Sequence, residues 1–283
     1  MRIIVMSDME GVAGIVKWEQ VDGGESLYEE GRKLYTEEIN AVVRGARAGG
    51  ATEIVVMDCH GAGKGWTFNS LLPEVLDPGC EWVVQNEWTH YTDFLEQGCD
   101  GALLVGMHAR AGTATGVLNH TVSGSDWHNL WFNETLVGET GINAALCGTW
   151  GCPVLMVSGD DATCQEGVDL LGEGVVTVAV KQGLGRFSAR HLPLVRAREL
   201  LEDGARRAVD GRGSIEPYDP GRPCEIVVEY TKSDLLEPFR NREGVEVLEP
   251  RKVASRADDW WTAWRQFYFR GPRAPPASSP RAA

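Results

Sequence analysis

The chain has 283 residues, 43% of them hydrophobic and 24% charged, which suits a folded protein with one large domain and a smaller one. A formal charge of -14 leaves no basic surplus to neutralise phosphates, so nucleic acid is excluded as a partner. No apolar run approaches the roughly 20 residues that span a bilayer, which excludes a membrane-spanning chain. The first residues enter a strand at once, with no basic and apolar leader, and the seven cysteines are irregularly spaced without a C-x-x-C pair. A cytoplasmic protein with reduced thiols is expected.

Ile3-Ile4-Val5-Met6 is a continuous apolar run, as in a buried parallel strand, and it ends in Ser7-Asp8-Met9-Glu10-Gly11. Side chains alternate along a strand, so Asp8 and Glu10 face the same way and repel unless a cation lies between them. A metal ion answers that need. A helix cap followed by a solvated acid fits the same residues equally well.

Tyr35, Ile39, Val42, Val43 and Ala46 recur at helical spacing, which predicts a helix over 28–48 stopped by Gly49-Gly50. Glu53 to Met57 reads as a second buried strand, and strand–helix–strand makes a parallel βαβ unit. Its end, Asp58-Cys59-His60-Gly61, is the topological equivalent of Asp8 to Gly11, and neighbouring strand ends share one crevice. A weaker strand at Trp82 to Val84 and a short helix near Tyr91 to Gln97 follow. Gly101 to Met107 is the next clear strand, delivering His108 at its carboxyl end. Val117 to Ser123 reads as a strand with His120 in its middle, and 126–133 as a hairpin or lid.

Gly138-Glu139 opens a helix, Pro153 to Val157 forms a strand ending in Gly159-Asp160-Asp161, and Val175 to Val180 leads a strand to Lys181. A helix near 194–209, a Gly/Pro-rich link over 211–223, a strand at 225–230, a helix near 233–240 and the aromatic stretch 260–269 come last. The expected fold is α/β, a mostly parallel sheet flanked by helices over 1–190. A smaller α+β lobe is expected over 191–270, and a disordered Pro/Ser/Ala/Arg-rich tail over 271–283.

Of six histidines, His60 and His108 stand at the ends of separate predicted strands beside Asp8 and Glu10. A lone histidine is more often structural than a ligand, but this placement changes the odds. Glu139 heads a helix, where favourable contact with the helix dipole alone could explain it. Together Asp8, Glu10, His60, His108 and Glu139 form an oxygen-and-imidazole set suited to zinc, with manganese or cobalt as alternatives. Five ligands exceed what one open catalytic zinc needs, so two ions sharing a bridging carboxylate fit better. H-E-x-x-H is absent. Gly61 to Gly65 lacks the phosphate-loop pattern and reads as a rim to the crevice. Asp160-Asp161 reads as helix capping, with support of a ligand histidine as the lesser alternative. Lys181 and Asn143 read as supporting polar groups, and Trp127, Trp131, Trp260, Trp261 and Trp264 as core or subunit contacts before substrate stacking.

The blocks Ser7 to Gly11, Asp58-Cys59-His60, Gly106 to Ala111, Gly116 to His120, Val137 to Ala144, Pro153 to Asp161 and Val180-Lys181-Gln182 resemble, in order, the zinc D-aminopeptidases of the dipeptide-utilisation (DppA) type. The resemblance covers residues 1 to about 190 and is loose beyond. It implies two zinc ions per subunit, bridged by Asp8, with Glu10 and His108 on one and His60 and Glu139 on the other. His120 falls on the family's active-site histidine, as nucleophile or as acid/base. The resemblance also implies cleavage of N-terminal D-residues from short peptides, and a homo-oligomer, a ring of dimers giving a decamer. Another dinuclear amidase or phosphoesterase, or a non-catalytic metal- or dipeptide-binding protein, are the competing readings. Cys59 beside His60, and single extra residues before Gly116 and between His120 and Glu139, depart from the family pattern.

Overall fold

A computed structural model of the chain describes residues 1–85 and 92–268. The elements run β1 (Arg2–Ser7), α1 (Tyr28–Ala48), β2 (Glu53–Asp58), β3 (Glu81–Val83), α2 (Asp93–Glu96), β4 (Gly101–Met107), β5 (Trp127–Phe132), β6 (Thr135–Val137) and α3 (Glu139–Thr149). They continue with β7 (Val154–Asp160), α4 (Asp161–Leu171), β8 (Val176–Gly185), β9 (Ser188–His191) and α5 (Leu194–Asp210). β10 (Cys224–Tyr230), β11 (Val245–Glu249), β12 (Lys252–Ala257) and α6 (Trp260–Tyr268) come last.

The fold is mixed α/β. Seven strands in the order β3-β2-β1-β4-β7-β8-β9 form the main sheet, all parallel except β9, which runs antiparallel to β8. From central β1 the chain goes one way to β2 and β3, then returns to β4 on the other side of β1. That reversal opens a crevice at the carboxyl ends of β1 and β4, the usual ligand position in such sheets. The apolar run Ile3 to Met6 is fully buried because helices cover both faces. Tyr35, Ile39 and Val42 of α1 join Leu201 and Ala205 of α5 and Ile3, Val5 and Val56 of the sheet in one core. On the other face the Met6 sulfur meets the Cys147 thiol of α3 at 3.4 Å.

Two glycines let the β1 and β4 ends approach. A Cβ on Gly11 would lie 1.9 Å from the Met107 carbonyl oxygen. One on Gly106, whose φ is +69°, would lie 2.2 Å from the carbonyl oxygen of Asp8. The Asp8 amide donates to Val105 O, and the Gly11 amide to Gly106 O, each at 2.8 Å. Any larger residue would push the two strand ends, and their acids and histidine, apart.

Two compact units divide the chain. The first is Met1–Gly124 with Val137–Tyr218, and the second is Ser125–Leu136 with the chain from Asp219 onward. This division differs from the expected border near residue 190, since β9 and α5 on either side of it both lie in the first unit. In the second unit β10 pairs antiparallel with β5 and β12, in the sheet order β11-β12-β10-β5-β6. Trp260 and Trp264 of α6 stack on each other at 5.4 Å and meet Phe132 edge-on, so these tryptophans are core.

Two local expectations change. Residues 117–123 form no strand; they are a turn-rich loop in which Leu118 and Val122 take φ of 50° and 61°. The helix expected near 233–240 is a 3-10 turn over Asp234–Phe239, as Pro238 removes a backbone donor. Tyr91 and the tail 271–283 lie outside the described residues. Among the described residues no helix is long and apolar enough to cross a membrane.

Candidate metal centre

β1 and β4 deliver Asp8, Glu10 and His108 to the crevice, β2 adds His60, and α3 begins with Glu139. Asp8 and Glu10 are each 2% exposed, His60 5% and His108 1%. Asp8 turns one oxygen to each histidine, Oδ1 to His60 Nδ1 at 3.0 Å and Oδ2 to His108 Nε2 at 3.4 Å. Glu10 Oε2 lies 3.2 Å from His60 Nδ1, and Glu139 Oε1 3.2 Å from His108 Nε2. His120 Nε2 is 3.7 Å from Glu139 Oε1, and its ring stacks on that of His108 at 3.9 Å. All six predicted site residues are therefore brought together, within the first unit.

Each ring is oriented by a backbone carbonyl. His60 Nε2 meets Val21 O at 2.8 Å, His108 Nδ1 meets Ala109 O at 3.1 Å, and His120 Nδ1 meets Leu118 O at 2.9 Å. A carbonyl only accepts, so the ring nitrogen facing it carries the hydrogen. The opposite nitrogen of every ring then points at the carboxylates. One nitrogen tied to a carbonyl and the other turned to the site is the arrangement that fixes a metal-ligating imidazole.

The electrostatics show how much positive charge the crevice draws in. Burial, and then Glu10, push the Asp8 carboxyl up to about 7. Burial also opposes ionisation of Glu10 and Glu139, yet charged histidines hold Glu10 well below the usual range and Glu139 at about 2. Despite the cost of burying a charge, Glu10 and Asp8 raise His60 well above its ordinary value, as Glu139 and Asp8 raise His108. His120 goes the other way, since burial and then the charge on His108 lower it. It is a neutral ring beside two charged ones.

Buried Glu10 Oε2 and His108 Nε2 nevertheless form no hydrogen bond. Asp8, Glu10 and His108 offer ligand atoms all within 4.8 Å of one another, as do His108, His120 and Glu139. Carboxylate oxygens and imidazole nitrogens without thiolate are a donor set that fits zinc.

A model of the D-aminopeptidase family matches residues 1–269 of this chain. The D-aminopeptidase of Bacillus subtilis (strain 168) is 32% identical over 249 residues, 87% of this chain and 88% of that protein. The chain belongs to the D-aminopeptidase family. A solved structure, the Zn-dependent D-aminopeptidase DppA from Bacillus subtilis, described as a self-compartmentalizing protease, superposes with a TM-score of 0.86. It is 30% identical and covers 94% of this chain and 95% of its own.

Other residues of this family member take supporting places. Asp58 accepts from the His60 amide at 3.0 Å, the Tyr35 hydroxyl at 3.1 Å and the Ser70 amide, which holds the backbone at His60. Asp160 caps α4 by accepting from the Thr163 amide at 2.8 Å, and its other oxygen accepts from the Val117 amide at 2.7 Å. It thereby anchors the loop that carries His120. Lys181, fully buried, donates to the carbonyls of Glu10, Val12 and Ile15 at 2.5, 2.9 and 2.8 Å. Asn143 Nδ2 lies 3.9 Å from the Met107 sulfur. Trp18, which sequence reading passed over, meets the His120 ring edge-on at 5.5 Å.

Proposed function

We propose that this chain is a dinuclear zinc aminopeptidase that removes D-configured N-terminal residues from short peptides. The carrying observation is the set of carbonyl-anchored imidazoles whose other nitrogens face three carboxylates. Membership of a peptidase family supports the reading. Asp8 is assigned as the bridge, because its two oxygens address different histidines. Glu10 and His108 would complete one ion's ligands, and His60 and Glu139 the other's. Zinc, when bound, supplies Lewis-acid polarisation of the scissile carbonyl and lowers the pKa of water toward about 7.

His120 is assigned the proton traffic. Its Nδ1–H is committed to Leu118 O, and its neutral ring leaves the Nε2 lone pair free. That nitrogen takes a proton as the nucleophile attacks and returns it to the leaving amine. Trp18 packed against the ring keeps water from that side and fixes the tilt.

The seven cysteines are all free, which fits a cytoplasmic location. The solved relative is described as self-compartmentalizing, and we extend that to this chain as a ring of dimers, a decamer. Turnover of matched D- and L-dipeptides, with zinc measured on the same sample, tests the function. Release of the D-residue with about two zinc ions per subunit is expected. Full activity after chelation would sink the proposal.

A further inference from the structure

Arg186 occupies the turn between β8 and β9, and its carbonyl accepts from the Leu118 amide at 2.7 Å. The turn is thereby tied to the loop that carries His120. The guanidinium carbon lies 5.5 Å from the centre of the Trp18 ring and 5.6 Å from that of Phe187. Trp18 in turn stands 5.5 Å from the His120 ring. Arg186 Nε is buried without a hydrogen-bond partner, and among the described residues no carboxylate forms an ion pair with this side chain. Other arginines of this acidic chain do pair, as Arg2 with Glu53 and Arg44 with Glu202.

We propose that Arg186 receives the C-terminal carboxylate of the peptide substrate and so sets the length that the enzyme cleaves best. This rests on the peptidase reading above. A planar guanidinium presents a fork of N–H donors that matches a carboxylate in two parallel bonds. Aromatic rings at cation–π distance stabilise the charge and leave those donors in one plane. A carboxylate approaching three buried acids would otherwise be repelled, and the cation reverses that sign locally.

Distance selects the substrate. The two 5.5 Å spacings laid end to end set the upper limit on the separation of guanidinium and His120 ring. Hydrogen-bond reach takes about 3 Å at each end. What remains is at most about 5 Å, the span of one residue at about 3.5 Å. A dipeptide bridges from the scissile bond to Arg186; longer chains place their carboxylate past it.

The test compares D-Ala-D-Ala with D-Ala-D-Ala-amide in wild type, Arg186→Gln and Arg186→Lys, with zinc content and Tm measured on each protein. Wild type should cleave the free acid at least about tenfold more efficiently than the amide. Arg186→Gln should lose about 10- to 100-fold in kcat/KM on the free acid, chiefly through KM, and less than about threefold on the amide. Lysine should recover part of the loss. Equal losses on both peptides with zinc intact would show that Arg186 only braces Trp18. Should the glutamine variant fail to fold, equal wild-type efficiency on acid and amide overturns the proposal by itself. If wild type cleaves neither peptide, the peptidase reading falls, a result distinct from the first two.

Discussion

His60 and His108 stand at the ends of buried parallel strands, whereas His120 rides on an irregular loop, and the two settings produce opposite electrostatics. The strand-end rings face carboxylates and are raised well above the ordinary histidine range. His120 is lowered, by burial and by the charge on its neighbour. Strands bring charge-bearing groups close at little cost in freedom. A loop held in a left-handed conformation at Leu118 and Val122 can present one neutral ring at a set angle. On the proposed function, the difference separates holding a cation from moving a proton.

The largest effect expected from breaking this division follows replacement of a strand-end ring. His108→Ala should remove bound zinc and lower kcat/KM by about 1,000-fold or more, because two carboxylates lose their partner as the ion loses a ligand. His120→Gln should keep zinc and lose about 100- to 10,000-fold in kcat, the usual worth of a general acid–base group. Metal analysis beside kinetics separates the two. Loss of zinc from His120→Gln would merge the roles and break the comparison.

A smaller effect is expected where the loop is merely supported. Asp160→Ala removes the acceptor for Val117 and the cap of α4, at about 1 kcal/mol in stability and about tenfold in kcat. Asp160→Asn keeps one acceptor oxygen for two amides, so it should recover part of the loss, through either the cap or the loop anchor. An unchanged kcat in the alanine variant would show that the loop holds His120 without this anchor.

The same division governed what could be read from the sequence. Asp8, Glu10, His60 and His108 were legible because apolar runs announce parallel strands, and strand ends converge by topology. The loop at 117–123 was misread as a strand, since Val117, Leu118 and Val122 look β-forming while their backbone is dictated by Asp160, Arg186 and Glu139 from distant segments. β5 was equally opaque as a member of the second unit, because its partner β10 lies nearly a hundred residues away in sequence. Local pattern carries no information about such pairings.

The last expected effect, on stability and with no loss of activity, sharpens the strand-end side. Residues 10–15 follow β1, and two buried ionisable groups secure them: Lys181 through three carbonyls, and Glu38, whose Oε1 accepts from the Ala13 amide at 3.0 Å. Glu38 Oε2 forms no hydrogen bond, and burial pushes this carboxyl up to about 7 from an ordinary 4.5. Between those values the folded chain binds the proton that the unfolded chain has lost. This group's contribution is therefore fully present below about 4.5 and is lost as pH rises through 7, on the order of 3 kcal/mol at most. Glu38→Gln keeps an acceptor for Ala13 and cannot ionise. The Tm of the variant minus that of wild type should rise by about 5 °C between pH 5 and pH 8. A difference that stays flat would mean that Glu38 is already charged at pH 5, and that Lys181 neutralises it across the crevice floor.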